Sequence, residues 1–206
     1  MGSRFFPAKA INRWQLFGCA LLVTLLSACV TPKEWEQRQQ RIVTELRQNP
    51  HMMVQPIDAG GISAQVRSGV SFQRESMAPT PELYGVLDNV ISALGENRAD
   101  YRIVVLGHTD NTDPKNPQNT NQTISSTRAA LVARYLADNG IDKSLVSSEG
   151  KGASQPLVDN ETEEGRSVNR RIELLILPIS GNRHEMMLPL LQRTSELSPD
   201  HPLMNK

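Results

Sequence analysis

YRIVVLGHTDNT, residues 101–112, passes from an apolar run into a polar loop that starts at a glycine. The run Ile103-Val104-Val105-Leu106 is rich in β-branched residues and too short for a helix, so it predicts a strand. Residues 107–121 are polar and rich in Asn, Asp and Pro, the composition of a loop. Beyond them Ala129, Val132, Ala133 and Leu136 recur at helical spacing, flanked by Leu131 and Tyr135, and Gly140 ends the pattern. A strand, a polar loop and a helix therefore follow one another in the middle of the chain.

The same reading extends outward. Ile62, Ala64 and Val66 alternate with Ser63, Gln65 and Arg67, which predicts a half-buried strand. The turn-forming pair Ser68-Gly69 follows. Pro79 or Pro81 can open a helix, because proline is tolerated in a first turn. Leu83, Val86, Leu87, Val90, Ile91 and Leu94 then recur at helical spacing up to Gly95. Residues 145–149 predict a short strand, and residues 171–177 a last one with Ile172, Leu174 and Ile176 on one face. Strands alternating with two helices, in βαβαβ-type order, predict an α+β sandwich with the helices packed on one face of a small sheet.

The flanks have other characters. Residues 33–48 are dense in helix formers with few apolar positions (Trp35, Ile42, Val43, Leu46), which predicts a mostly solvated helix or tether. Residues 50–61, with Pro56 and Gly60-Gly61, read as a linker. At the N-terminus Arg4, Lys9 and Arg13 precede a mainly apolar run, residues 14–26, and then Ser27, Ala28 and Cys29. A basic start, a short apolar stretch and a small-residue exit describe a secretory signal, and the run falls short of the roughly 20 residues that span a bilayer. Residues 180–206 carry Pro189, Pro199 and Pro202 around an apolar patch (Met186, Met187, Leu188, Leu190, Leu191), which reads either as a flexible end or as a docking segment.

Composition narrows the function classes. The 206 residues carry 22 basic and 22 acidic side chains, without the basic excess of a nucleic-acid binder. Aromatic residues are only 4%, so the core must rest on aliphatic packing. The two cysteines are Cys19, inside the apolar run, and Cys29, just after it, so a chain cleaved before Cys29 has no internal disulfide.

Three blocks occur in order: Gly107-His108-Thr109-Asp110-Asn111-Thr112, then residues 121–129 (NQTISSTRA), then residues 165–173 (GRSVNRRIE). Together they resemble the OmpA-like peptidoglycan-binding family, over roughly residues 62–178. The resemblance implies a two-layer sandwich with a small mixed sheet, and a domain that binds the meso-diaminopimelate of the peptidoglycan stem peptide. That ligand offers an ammonium and a carboxylate at a fixed separation. Asp110 can accept hydrogen bonds from the ammonium, and Arg128 can offer its planar fork to the carboxylate. N–H groups at the helix start favour the same carboxylate, with Asn121 as the expected N-cap. By resemblance Asp110 and Arg128 contact the ligand, Arg170 is a further ligand-side arginine, and Thr109 and Asn121 line the pocket. Alternatively Asp110 only caps its loop, Arg128 is a solvated helix arginine, and Arg170 or Arg171 pairs with Glu149 or Glu173. The sequence departs from the family pattern at Asp113, where glycine is usual, and in a longer loop containing Pro114 and Pro117.

Leu26-Ser27-Ala28-Cys29 resembles the bacterial lipobox, which implies cleavage before Cys29 and its acylation. Val30, in place of an inner-membrane retention aspartate, favours the outer membrane. The expected organisation is a signal peptide over 1–28, a lipidated Cys29 with a helical tether and linker over 29–61, the domain over 62–178 and a tail over 179–206. No HExxH zinc motif, GxSxG elbow or phosphate-binding loop is present. An enzyme is not expected, nor a metal or cofactor, and His108 reads as a structural donor at the strand end. The expected role is a peptidoglycan clamp facing the periplasm on a lipid anchor. The alternative is a component of an envelope-spanning machine, with protein partners at tether or tail.

Overall fold

The computed structural model describes residues 32–72 and 76–179. The expected signal, Cys29 and nearly all of the expected tail lie outside these residues. Five strands, β1 (Met52–Ile57), β2 (Gly61–Val66), β3 (Tyr101–His108), β4 (Val146–Gly152) and β5 (Ile172–Pro178), form one sheet in the order β1-β2-β5-β3-β4. Only β3 and β4 run parallel, joined by a helical crossover; the other neighbours are antiparallel. The helices are α1 (Pro32–Arg47), α2 (Pro81–Leu94), α3 (Asn121–Asp138) and α4 (Glu163–Asn169). The mixed α+β sandwich expected from the sequence is therefore the fold.

One expectation for residues 33–61 is corrected. Residues 50–61 are not a linker: β1 lies there, followed by a 3-10 turn over Asp58–Gly60. Pro56 and Gly60, read as linker signals, have different uses. β1 is an edge strand, where a missing N–H is tolerated, and Gly60 takes φ 75° in the turn to β2. α1 is the mostly solvated helix that the sequence predicts, but its C-terminal half is docked: Ile42, Val43 and Leu46 are buried and Arg47 donates from Nε to the Val54 carbonyl at 3.1 Å. Residues up to Arg38 group as a separate unit, within which the Arg38 guanidinium lies 5.8 Å from the centre of the Trp35 ring.

α2 begins and ends where its sequence directs. Thr80 caps it by accepting from the Leu83 N–H, Pro81 occupies the first turn, and Gly95 closes it at φ 53°. Its buried stripe (Leu83, Val86, Leu87, Val90, Leu94) and that of α3 (Ala129, Val132, Leu136) cover one face of the sheet. Ile62, Ala64, Ile103, Val105, Ile172, Leu174 and Ile176 point to that side and are all nearly inaccessible to solvent. Burying a side chain of this size stabilises by about 1.5–3 kcal/mol, so this layer supplies the main favourable contribution to folding.

α3 approaches the sheet at two glycines. A Cβ on Gly107 would lie well under 3.0 Å from the Ser125 carbonyl oxygen, and one on Gly150 would meet Ser125 and Ser126 just as closely. Polar stitches hold the same contact. The Gly152 N–H donates to Ser125 Oγ at 2.9 Å, and Gln122 Nε2 donates to the Gly150 carbonyl at 2.7 Å.

Gly107→Ala should therefore lower stability by about 1–3 kcal/mol through overpacking, read as a lower Tm in thermal denaturation. Gly85→Ala is the opposite control. Gly85 sits inside α2 with no atom within 4 Å of an added Cβ, and alanine there should stabilise by about 0.4–1 kcal/mol. Equal effects at the two positions would contradict the close seating of α3.

Candidate functional site

The C-terminal end of β3 passes directly into the site. His108 N–H donates to the Arg171 carbonyl at 3.0 Å and Thr109 N–H to the Gly152 carbonyl at 2.9 Å, so the turn into the loop is fixed on both sides. Asp110 follows and is buried. Its Oδ1 accepts from the Thr112 N–H at 2.9 Å and from the Thr112 hydroxyl. Its Oδ2 accepts from Arg170 Nη1 at 2.6 Å. Burial pushes the Asp110 carboxyl up, but the Thr112 hydroxyl, Arg170 and the Thr112 N–H outweigh it and hold it below the ordinary value of 3.8. Asp110 is thus a fixed carboxylate at neutral pH.

Arg128 lies two turns into α3 and is also buried. Its Nε and Nη2 donate to the Ser76 carbonyl at 3.2 and 2.6 Å, and its guanidinium carbon stands 5.0 Å from the centre of the Phe72 ring. Burial, then the nearby Arg170 charge, pull its pKa down against the opposing pull of Asp110. It is not the solvated helix arginine that the sequence left open.

Arg170 bridges two carboxylates. Besides Asp110 it donates from Nη2 to Glu163 Oε1 at 2.7 Å, and Arg166 Nε donates to Glu163 Oε2 at 3.1 Å. Burial lowers the Arg170 pKa, but the bonds to Asp110 and Glu163 raise it further, for a net increase. The alternative pairing of Arg170 with Glu149 or Glu173 does not occur: Lys151 holds Glu149, and Ser63 Oγ donates to Glu173 at 2.6 Å. Glu163 and Arg166 were missed in the sequence. Their spacing, with Arg170 four residues after Arg166, places all three on one side of α4 and its end, and that was the available signal.

Asn121 is the first residue of α3 rather than its cap. Thr120 caps the helix through a reciprocal box with Thr123, and Asn121 Nδ2 instead donates to the Thr112 carbonyl at 3.0 Å, tying the helix start to the loop. Thr109 is buried, and its hydroxyl has no hydrogen-bond partner among the described residues. Asp110, Arg128, Thr109, Asn121 and Arg170 all line a single cavity of about 600 Å³. The loop that departs from the family pattern forms much of its rim, through Asp113, Pro114, Lys115, Asn116 and Asn119.

His108 lies just behind this cavity. It is buried, with Nε2 3.7 Å from Glu173 Oε2, and burial lowers its pKa, so it is neutral at pH 7. Burial alone would raise the Glu173 pKa, but its contacts with His108, Ser63 and Arg171 bring it below the ordinary value. Burial takes Arg171 down to about 10, which leaves it charged at neutral pH. Among the described residues no group of three or more His, Cys, Asp or Glu side chains is placed to hold a metal ion.

Comparison with known proteins agrees with this geometry. Residues 71–170 match the model of the OmpA family. Outer membrane porin F of Pseudomonas fluorescens is 35% identical over 109 residues, 53% of this chain and 32% of that protein. Peptidoglycan-binding protein ArfA of Mycobacterium bovis is 31% identical over 115 residues, 56% of this chain and 34% of that protein. The chain thus spans about a third of the length of these relatives. Among solved structures, a MotB-like protein from Desulfovibrio vulgaris superposes with a TM-score of 0.64 at 25% identity, covering 71% of this chain and 95% of that one. The cell wall anchor of the T6SS from Pseudomonas aeruginosa superposes with a TM-score of 0.59 at 25% identity, covering 68% and 96%. Domains of this kind are structural modules rather than enzymes. The sheet and the helices seated on it make up an OmpA-like domain, in which residues 71–170 are similar to the OmpA family.

Proposed function

We propose that this domain grips peptidoglycan non-covalently through the meso-diaminopimelate of the stem peptide, as the periplasmic part of a lipoprotein held in the outer membrane by an acylated Cys29. One observation carries the reading: a buried carboxylate, Asp110, and a buried guanidinium, Arg128, line the same cavity. An amino acid head group carries the complementary pair of charges. The cavity, about 600 Å³, falls in the size range of small-molecule sites.

Asp110 already accepts from Thr112 and Arg170, yet a carboxylate has lone pairs for about four bonds, so a ligand ammonium can join without evicting either. Arg128 spends two N–H groups on the Ser76 carbonyl and has others for a carboxylate. Phe72 and Ser76 hold the fork in place before the ligand arrives, which lowers the ordering cost of binding. Arg170, held between Asp110 and Glu163, adds positive charge to the cavity wall.

The lipobox-like quartet that ends at Cys29 and the chain length support the anchoring. The buried part of α1 begins at Ile42, so residues 30–41 separate it from Cys29 and could extend at most about 40 Å. That is far shorter than a fully extended chain from Cys29 to residue 62, roughly 100 Å. The domain would be held close beneath the membrane. A second reading is supported by the likeness to the type VI secretion anchor: the same clamp would fix an envelope machine to the wall.

Co-sedimentation with purified Gram-negative sacculi tests the clamp. Asp110→Ala and Arg128→Lys should each weaken binding tenfold or more with the fold retained, because lysine keeps the charge of Arg128 but not its fork. Wild-type binding should hold as pH falls from 7 to 5. The lowered pKa of Asp110 means that its charge, and the stability it lends, are present above about 3.8 and are lost as pH drops through the lower folded-state value. Half-loss of binding at pH 5–6 would count against Asp110 as the ammonium acceptor. For the anchor, Cys29→Ser should move the protein from the outer-membrane fraction to the soluble periplasmic fraction, and an unchanged distribution would contradict lipidation there.

A further inference from the structure

The rim of the cavity comes from the loop in which this sequence departs from the family pattern, and that loop is tied at both ends. At one end Thr112 is held by Asp110 and by Asn121, whose Nδ2 donates to the Thr112 carbonyl at 3.0 Å. At the other, Asn116 Oδ1 accepts from the Gln118 N–H at 3.0 Å, and the Asn119 N–H donates to the Asn116 carbonyl at 3.0 Å. Pro114 lies between these ties and Pro117 within the second, each with its φ fixed by the ring. Lys115 stands in the short stretch between the ties, exposed on the rim, and lines the cavity. A cation is thus carried at the mouth on backbone that is ordered before any ligand arrives.

The charges of the lining do not cancel. Arg166, Glu163, Arg170 and Asp110 run in a chain of ion pairs, two bases against two acids. Among the described residues the other charged members of the lining are Arg128, Lys115 and Asp113, which leaves one positive charge in excess. A head group with one ammonium and one carboxylate adds no net charge and does not offset that excess. Size leads to the same conclusion. A cavity of about 600 Å³ is large enough to enclose a drug-sized ligand, whereas the head group is only a few non-hydrogen atoms. More of the stem peptide than its head group fits inside, and the matching portion carries negative charge.

We propose that Lys115 selects for a second stem-peptide carboxylate, outside the head group that Asp110 and Arg128 would hold. The inference rests on the clamp reading above and extends it from one residue of the stem to its neighbours. A stem peptide offers such a carboxylate in two places, on the D-glutamate that precedes diaminopimelate and at the C-terminal end, and amidation neutralises either one. Arg166 and Arg170 are less suited to it, since Asp110, Glu163 and the carbonyls of Asn160 and Glu161 already accept from them. Lys115, a compact charge with three donors on a flexible stem, can follow a carboxylate at the mouth.

Calorimetric titration of the protein with synthetic diaminopimelate tetrapeptides tests this, with the glutamate free or amidated and the C-terminus free or amidated. Wild type should bind the fully free peptide about threefold to fivefold more tightly than the peptide amidated at the carboxylate Lys115 meets, the scale of one partly solvated ion pair. The two singly amidated peptides identify which carboxylate that is. Lys115→Gln should abolish the difference, Lys115→Arg should keep it, and added salt should shrink it in wild type because the pair lies at an exposed rim. Binding of all the peptides with equal affinity, or a preference left unchanged by Lys115→Gln, overturns the proposal and leaves the clamp standing. Binding of none of them overturns the clamp and this extension together.

Discussion

The seating of α3 on two glycines is the contact on which the site depends. With Gly107 and Gly150 beneath it, the helix backbone comes within van der Waals reach of β3 and β4, and Ser125 and Gln122 bond to strand backbone. That contact sets the height of the helix above the sheet. Arg128, one turn beyond Ser125, is thereby placed opposite the loop that leaves β3 with Asp110. A helix lifted by one methyl group at either glycine would carry Arg128 away from the carboxylate. The GHTD stretch, residues 107–110, therefore combines a packing residue with a cavity-lining carboxylate, three positions apart.

The second feature of the site is that its charges are already paired in the protein. Asp110 has Thr112 and Arg170, Arg128 has the Ser76 carbonyl and the Phe72 ring, and Arg170 has Glu163. Burying ions without partners is costly, and these contacts offset that cost before any ligand binds. They also hold the Arg128 fork and both oxygens of the Asp110 carboxylate in place. The neutral His108 and the charged Glu173 behind the cavity complete the support from beneath, where Ser63 and Arg171 balance the buried acid.

Much of this was legible in the sequence, and what was missed has physical causes. The apolar run at 103–106, the stripes of α2 and α3 and the three motif blocks gave the elements, the fold and five residues that prove to share one cavity. Pro56 and Gly60 misled, because a proline on an edge strand and a glycine in a hairpin turn look the same in sequence as a linker. Ile42, Val43 and Leu46 were too sparse to signal burial on a helix whose remaining face is charged. Asn121 is a good cap by residue type, but Thr120 beside it forms the reciprocal box. Glu163, Arg166 and Arg170 are spaced for one side of a helix, but α4 is short and carries no apolar stripe to announce that helix. The apolar cluster of Val104, Leu106, Leu175 and Leu177 could not be seen either, as Leu175 and Leu177 read simply as the outer positions of a strand.

The central claim is recognition of one head group by a carboxylate and a guanidinium held at fixed separation. Its most direct test is a calorimetric titration of the protein with two synthetic stem peptides, identical except that one carries meso-diaminopimelate and the other lysine. Lysine keeps the ammonium that Asp110 would hold but lacks the carboxylate for Arg128. The account predicts measurable binding of the diaminopimelate peptide and at least tenfold weaker binding of the lysine peptide, with the difference abolished in Arg128→Lys. Equal affinities of the wild type for the two peptides would contradict it.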